Sequence, residues 1–297
     1  MGDAGTREAN VVSTSTVQDP PSFDLPSVGP DPVPWDTALA AVLGYARGRR
    51  PLRFRTPDHP QGRWFSVLAF GYERFDRQPV SDDPLGDADV LAAEGLHGRL
   101  DPAGWTALRA ALDDVRPLAD ATFARAAGRA FWELPTEEFS VLAEPGTVGA
   151  ALRAIRLHAE STEGVRPDLI TAALHHRHPE LVPHVDHTTR PQLWPHVVEG
   201  DSGVEAVVHR ELRANAAAFI ALEAAAAALL DGGAGTPLTR LRLHDVLLWL
   251  TGSLRLTHAV ALGRATEEWR RFHADDRAAR HAPPAAATEV PAAGGVP

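Results

Sequence analysis

The sequence predicts a mainly α-helical protein with a single folded unit and a short extended or β segment near residues 52–75. Three observations support this prediction. Apolar residues recur at helical spacing through most of residues 35–273, turn signals separate these periods, and no long polar linker divides the region. A chain of 297 residues, 44% of them hydrophobic, is also long enough to bury a substantial core.

Helices are predicted in order along this unit. The first covers residues 35–47 and ends at the turn residues Gly48 to Pro51. Asp101-Pro102 predicts an N-cap followed by proline at the first helical position, which starts a helix running through Leu112. Apolar spacing predicts further helices over 87–100, 118–133, 147–160 and 167–174, one long Ala-rich helix over 203–230, and one or two helices over 238–272.

The segment 52–75 concentrates aromatic residues between turn signals and breaks the helical pattern. We interpret it as a short β-ribbon or as an extended segment that packs on the core. A platform on which nucleic-acid bases stack is the alternative.

The two ends of the chain differ in composition from the middle. Residues 1–34 are rich in proline, serine, aspartate and glycine, which predicts a disordered leader. Residues 274–297 are expected to form a flexible Ala/Pro-rich tail. The helical domain is therefore predicted over 35–273.

Composition restricts the classes of function. The formal net charge of −10 gives no overall attraction to nucleic acid, and the absence of cysteine excludes disulfides and thiolate metal sites. The N-terminal residues contain no signal-peptide pattern, and the two apolar stretches 214–230 and 246–263 are interrupted by polar residues. We expect a cytoplasmic protein with no membrane segment and no cofactor.

The stretch 164–194 combines the most chemically useful side chains with the strongest backbone restraint. Gly164, Pro167 and the following apolar residues predict a turn that leads into a helix, and such a helix start can hold an anion. An ordinary connection between two helices is the alternative.

Histidines in the same stretch allow a metal site. Seven of the fourteen histidines lie between His158 and His196, and His184, Asp186 and His187 offer three ligands within four residues. Solvated histidines without a metal are the alternative.

Asp186 is the strongest single candidate for chemistry, because Pro183 and Pro191 restrain the backbone on both sides. Its carboxylate can serve as a general base or stabilise a developing cation. A structural carboxylate that caps the next turn, together with Thr188 and Thr189, is the alternative.

Asp245 lies on the apolar face of a predicted helix, where an unpaired charge is costly. Arg242, three residues earlier, can supply the opposite charge on the same helix. We predict a structural ion pair between Arg242 and Asp245.

Three landmarks in order resemble an uncharacterised domain-of-unknown-function family of high-GC bacteria. They are Phe75-Asp76-Arg77 with an acidic turn, the segment 177–186 that ends in Pro183-His184-Val185-Asp186, and the helix that carries Leu241-Arg242, Asp245 and Trp249.

The centre of this region, about 164–190, is similar to helix-hairpin-helix DNA glycosylases. Val185-Asp186 followed by Arg190 matches the segment that carries the catalytic aspartate of those enzymes. The resemblance implies a helix-hairpin-helix-like centre with Asp186 as the catalytic residue. It also implies that Gly164, Arg166, Arg177 and Arg190 contact nucleic acid. Arg166-Pro167 stands where a second hairpin glycine is expected, and a chain without lysine cannot perform the lyase chemistry of a lysine Schiff base.

Three functions follow from these observations, and whether the protein is an enzyme and how it assembles stay open. The preferred one is a nucleic-acid-associated relative of the glycosylases, which requires a deep cleft beside Asp186 because such enzymes flip a base into a pocket. The alternatives are a non-enzymatic helical binding or scaffold protein and a His/Asp metal-dependent hydrolase.

Overall fold

Helices make up most of the protein in the computed structural model, which describes residues 22–230 and 237–281. The α-helices are α1 Trp35–Arg47, α2 Asp87–His97, α3 Pro102–Ala126, α4 Val148–Ser161, α5 Pro167–Arg177, α6 Arg190–Leu193, α7 Val204–Ala214, α8 Ala216–Leu230, α9 Arg240–Gly252, α10 Leu256–Arg264 and α11 Glu267–His281. Two antiparallel strands, β1 Arg49–Thr56 and β2 His59–Leu68, form a two-stranded sheet. The prediction of a mainly α-helical protein is therefore confirmed.

Helix α1 lies at the centre and is buried along almost its whole length. It packs most extensively on α10, with further contacts to α8 and α9. The two backbones approach closely because small residues face each other: a Cβ on Gly44 would overlap the carbonyl oxygen of Ala259, and one on Gly263 would overlap that of Ala40. This close crossing fixes α1 against the C-terminal helices.

Three predicted helix boundaries differ from the structure. The helix expected over 101–112 and the first part of the helix expected over 118–133 form the single helix α3, which continues through Pro117 and ends at Ala126, whereas Phe131–Glu133 form a short 3-10 helix. Proline removes one backbone hydrogen bond, and the buried face that includes Leu112 and Val115 keeps the helix continuous.

The long helix predicted over 203–230 is instead α7 and α8, bent by 81° at Asn215. The Asn215 side chain accepts a hydrogen bond from the Asp24 amide and donates one to the Asp24 carbonyl, each at 2.7 Å. The segment predicted over 238–272 contains α9 and α10 and the beginning of α11. A left-handed residue, Leu254 with φ of 57°, accompanies the first break.

Part of the predicted leader belongs to the folded unit. Phe23 pairs with Val33 as an isolated antiparallel bridge, and Phe23 and Leu25 are fully buried. A few buried apolar residues are enough to attach a segment rich in proline, aspartate and glycine to the folded unit. The composition of the segment gave no indication of these contacts. Residues 1–21 and 282–297 lie outside the described residues, and α11 extends to residue 281, beyond the predicted start of the tail.

The aromatic segment forms both structures that the sequence allowed. β1 and β2 make a ribbon in which Leu52 lies opposite Phe65 and Arg53 opposite Trp64. Phe70 and Phe75, which follow the ribbon, are buried in the core.

Among the described helices, none is by itself both long and apolar enough to cross a membrane. The bent pairs α7–α8 and α9–α10 reach the necessary length and apolar composition only when the two helices of each pair are taken together.

The α1–α10 crossing gives a direct test of the packing. Gly263→Ala places a methyl group against the Ala40 carbonyl and the Gly44 amide, so the helices must separate. We expect a loss of roughly 1–3 kcal/mol in the free energy of unfolding, as is typical of overpacking. Gly29→Ala is the matched control, because nothing lies within 4 Å of the added Cβ. Urea denaturation of the three proteins measures the difference, and equal midpoints for the two variants would contradict the close crossing.

Candidate functional site

A buried arginine joins three separate segments of the chain. Arg242 lies on α9, and its Nε donates to Asp76 Oδ1 at 2.6 Å while its Nη2 donates to the Tyr45 hydroxyl at 2.7 Å. Its Nη1 forms an ion pair with Asp245 Oδ2, and its guanidinium lies 4.9 Å from the ring centre of Phe75. The predicted pair of Arg242 and Asp245 thus belongs to a larger network.

The network contains several acidic groups around a single guanidinium, and this imbalance determines which of the groups hold a proton. Burial raises the pKa of Asp245 to about 7; Arg242 opposes that shift, and the nearby charges of Asp186 and Asp76 add to it. Burial also raises the pKa of Tyr45 well above its usual value. For Arg242, burial acts to lower the pKa, but Asp76, Tyr45 and Asp245 outweigh it and raise the pKa. Arg242 is therefore permanently charged, whereas Asp245 keeps its proton up to about neutral pH.

Asp186 lies in the turn between α5 and α6, where it begins a helical turn. Its Oδ1 accepts the backbone N–H groups of Thr188 and Thr189, each at 2.8 Å, and its own N–H donates to Thr189 Oγ1 at 3.0 Å. Its second oxygen, Oδ2, has no hydrogen-bond donor in the described part of the chain. Asp186 thus combines the capping role with one available carboxylate oxygen.

Asp186 and the arginine network line one cleft, with a volume of about 460 Å³. This volume lies in the range of small-ligand and cofactor sites. The lining contains three aromatic residues, two carboxylates, five arginines and three histidines: Tyr45, Phe70, Trp249, Asp186, Asp245, Arg50, Arg74, Arg166, Arg242, Arg255, His97, His184 and His187.

The mouth of the cleft is positively charged. Arg50, Arg74 and Arg255 are exposed, and none of them has an ion-pair partner within residues 22–230 and 237–281. The Arg255 guanidinium lies 5.4 Å from the ring centre of Trp249, an arrangement that leaves its N–H groups at the rim for an anion. An anionic ligand with an apolar planar part fits this lining.

His97 and His184 do not add positive charge to the cleft at neutral pH. Burial lowers the pKa of His97, and it lowers the pKa of His184 well below the usual value. The His187 side chain is exposed, with Nδ1 at 3.4 Å from Asp168 Oδ2.

The metal alternative on His184, Asp186 and His187 has no geometric support in the described residues. No group of three or more histidine and carboxylate side chains there is placed to hold a metal ion. His184 Nδ1 instead lies 3.3 Å from Thr171 Oγ1, at hydrogen-bond distance.

The residues predicted to contact nucleic acid are only partly brought together. Gly164 occupies the exposed turn between α4 and α5 with φ of 74°, and Arg166 lines the cleft while it is paired with Asp168. Arg177 pairs with Asp89 and Arg190 with Glu160, and neither lines the cleft.

Several residues of the cleft and of the arginine network were not assigned a role from the sequence. Asp76 was recognised only as part of the Phe75-Asp76-Arg77 landmark, Phe70 only as one of the aromatic residues of 52–75, and Tyr45 was not singled out. Their contacts with α9 join residues far apart in the chain, so helical spacing carries no signal for them. The arginines of the mouth gave no signal either, because arginine is frequent throughout the sequence.

A family model described as a family of unknown function, DUF6308, matches residues 61–252. The chain belongs to the DUF6308 family. No curated protein and no solved structure gave a significant match. The DUF6308 region includes Asp76, Asp186, Arg242 and Asp245, whereas Tyr45 and Arg50 precede it and Arg255 follows it.

The protonation of Asp245 predicts an unusual dependence of stability on pH. The unfolded carboxyl loses its proton near pH 4 and the folded one near pH 7, so unfolding releases a proton between these values. The wild type should therefore lose stability relative to Asp245→Asn as the pH rises from about 4 to about 7, by at most about 4 kcal/mol.

Urea denaturation of both proteins at several pH values measures this difference. The buried histidines, such as His175 with a pKa lowered to about 4 by burial, act in both proteins and largely cancel. Asp275→Asn on exposed α11 is the control and should show no such trend. A difference that is constant or reversed across this window would contradict the protonated state of Asp245.

Proposed function

We propose that this protein binds nucleic acid as a relative of the helix-hairpin-helix DNA glycosylases and receives one flipped base in the cleft beside Asp186. The observation that carries the proposal is the free Oδ2 of Asp186 on the lining of a 460 Å³ cleft with aromatic walls and an arginine-rich mouth. Base flipping requires a pocket beside the catalytic residue, and the presence of this cleft beside Asp186 supports the proposal. A cytoplasmic location, as the sequence predicts, agrees with such a role.

The position of the cleft supports the proposal. Helices α4 and α5 pack on each other and are joined by a short turn that contains Gly164, and Asp186 follows α5 within ten residues. Arg166 at the start of α5 lines the cleft, so this turn lies beside the place where Asp186 acts.

The lining supports recognition of a base and its phosphate. Phe70 and Trp249 form an edge-to-face pair with ring centres 6.1 Å apart, which provides flat apolar surface for a base. Arg50, Arg74 and Arg255 provide charge for the adjoining phosphates. The overall acidity of the protein is compatible with this, because the basic groups are concentrated at the mouth.

The carboxyl groups of Asp186 and Asp245 suit different roles in acid–base catalysis. The charge of Asp186 contributes to the raised pKa of Asp245, which holds its proton up to about neutral pH. The Asp186 carboxylate stabilises positive charge that develops on the sugar as the bond to the base breaks, and it can orient the attacking water. Water adds to the sugar carbon and gives one proton to Asp186, the base leaves with the bonding electrons, and Asp245 donates its proton to the departing base.

The non-enzymatic scaffold alternative rests on the Arg242 network, which fastens α1, the Phe75-Asp76 turn and α9 together. Under that alternative, nothing binds in the cleft. Asp186→Asn separates the two functions, because asparagine keeps an oxygen that accepts the Thr188 and Thr189 amides and removes only the charge.

The test measures binding and base release separately. Fluorescence anisotropy with labelled duplexes, one with a tetrahydrofuran abasic analogue and one unmodified, should show binding by the wild type and by Asp186→Asn. Release of damaged bases from a panel of modified duplexes, detected by alkaline strand cleavage, should fall about 100-fold or more in Asp186→Asn, as expected for loss of a general acid–base group.

Asp101→Asn is the matched control. Asp101 also caps a helix through a backbone N–H, and asparagine caps equally well. Unchanged release by Asp101→Asn is expected. A wild type that binds neither duplex would support the scaffold alternative, and binding without any base release would reduce the proposal to nucleic-acid association.

A further inference from the structure

The ribbon, defined as β1 and β2 with their turn (residues 49–68), presents its large side chains to solvent on both faces. All residues of β1 are exposed, and most of β2 is exposed as well. Trp64 is 66% exposed, Phe54 49% and Phe65 47%. Burial in the core therefore cannot account for these three aromatic side chains.

The strand register sorts these side chains into two faces. Residues directly opposite each other share a face, so Trp64 lies beside Arg53, whose guanidinium is 5.7 Å from the Trp64 ring centre. The opposite face carries Phe54 and Phe65, which form an edge-to-face pair at 5.5 Å, next to Arg63. Each face thus combines aromatic surface with a cation.

The ribbon is strongly basic in an acidic protein. It contains five arginines and a single carboxylate, Asp58, whereas the whole chain has a net charge of −10. None of these five arginines takes part in an ion pair in the described residues. Interleaved arginine and exposed aromatic side chains are the combination by which proteins bind unpaired nucleic-acid strands, since phosphates need charge and bases stack on rings.

The ribbon is rooted at the mouth of the cleft. Arg50, in β1, lines the cleft, and β2 leads directly into Ala69 and Phe70, which line it too. The positive surface therefore continues from the ribbon to Arg74 and Arg255 at the mouth. One strand can lie along the ribbon while one of its nucleotides enters the cleft.

We propose that the ribbon binds an unpaired nucleic-acid strand next to the nucleotide held in the cleft, with Trp64 stacking on a base and with Arg49 and Arg53, on the same face of the ribbon, contacting phosphates. This inference rests on the proposed function and adds a second contact surface to it. The basic charge and the continuity with the cleft favour this occupant over a second copy of the chain, which would cover the ribbon without involving the cleft.

The experiment uses the full chain and two fluorescein-labelled probes, an oligothymidylate of about 20 nucleotides and a duplex of about the same length. Binding is measured by fluorescence anisotropy at several salt concentrations between roughly 50 and 200 mM. Over this range, phosphate contacts change the affinity strongly. The variants are Trp64→Ala, Trp64→Phe and the double change Arg49→Ala with Arg53→Ala. The control is Arg125→Ala, an exposed arginine on α3 with no ion-pair partner among the described residues. Circular dichroism and thermal melting should be unchanged for all of them, because the altered side chains are exposed.

The wild type should bind the single strand more tightly than the duplex. Trp64→Ala should weaken single-strand binding about tenfold or more, and Trp64→Phe should restore most of it, because stacking needs only a ring. The double arginine variant should reduce the slope of log affinity against log salt by roughly 0.7 for each phosphate that the protein no longer neutralises. Arg125→Ala should bind as the wild type does.

The possible failures are distinguishable. A wild type that binds no nucleic acid overturns both this inference and the proposed function. Binding that persists unchanged in the Trp64 and arginine variants overturns the role of the ribbon alone and leaves the cleft as the binding surface. A wild-type dimer, measured by light scattering, that dissociates on Trp64→Ala while nucleic-acid affinity is unchanged assigns the ribbon to self-association and overturns the inference.

Discussion

The buried positive charge of Arg242 is the constraint on which the arrangement of the core and the cleft depends. A guanidinium removed from water is stable only when carboxylates and hydrogen-bond acceptors surround it. Asp76, Asp245 and the Tyr45 hydroxyl satisfy Arg242, and each comes from a segment that must therefore lie in one place. The requirement fixes α1, the turn after Phe75 and α9 relative to one another. These are the segments that form the floor of the cleft.

The sequence predicts the parts of this arrangement that depend on neighbouring residues. Helical periodicity gave the helical class, and the spacing of three residues between Arg242 and Asp245 gave their pair. The contacts of Arg242 with Asp76 and Tyr45 connect residues separated by 166 and 197 positions, and no local pattern encodes them. For the same reason, the sequence does not show that Arg177 and Arg190 are paired. Their partners, Asp89 and Glu160, come from other helices. Which arginines remain unpaired is a property of the tertiary structure.

The distribution of charge explains how an acidic protein could bind the anionic ligand that we propose. Many arginines of the helical body form ion pairs with carboxylates, and their charge is therefore largely neutralised. Seven arginines without ion-pair partners in the described part of the chain lie at the mouth of the cleft and on the ribbon, where they form a local positive surface on a negative body. Net charge governs long-range attraction, whereas a local cluster governs where an anion docks. An acidic body also disfavours binding of phosphates elsewhere on the protein, which is compatible with the proposed binding of nucleic acid at this surface.

The network that stabilises the fold also sets the protonation of the cleft. Arg242 carries one positive charge against Asp76 and Asp245, and Asp186 adds a third carboxylate nearby, so ionising all of them together is unfavourable. Asp245 is the group that keeps its proton, because its burial is complete and the charges of Asp186 and Asp76 act on it together. Oδ1 of Asp186 accepts two backbone N–H groups at the next turn. The fold therefore places a carboxylate that caps a turn and a buried carboxyl with a raised pKa on the lining of one cleft. A change at Arg242 would alter both stability and acid–base chemistry, because one side chain determines both.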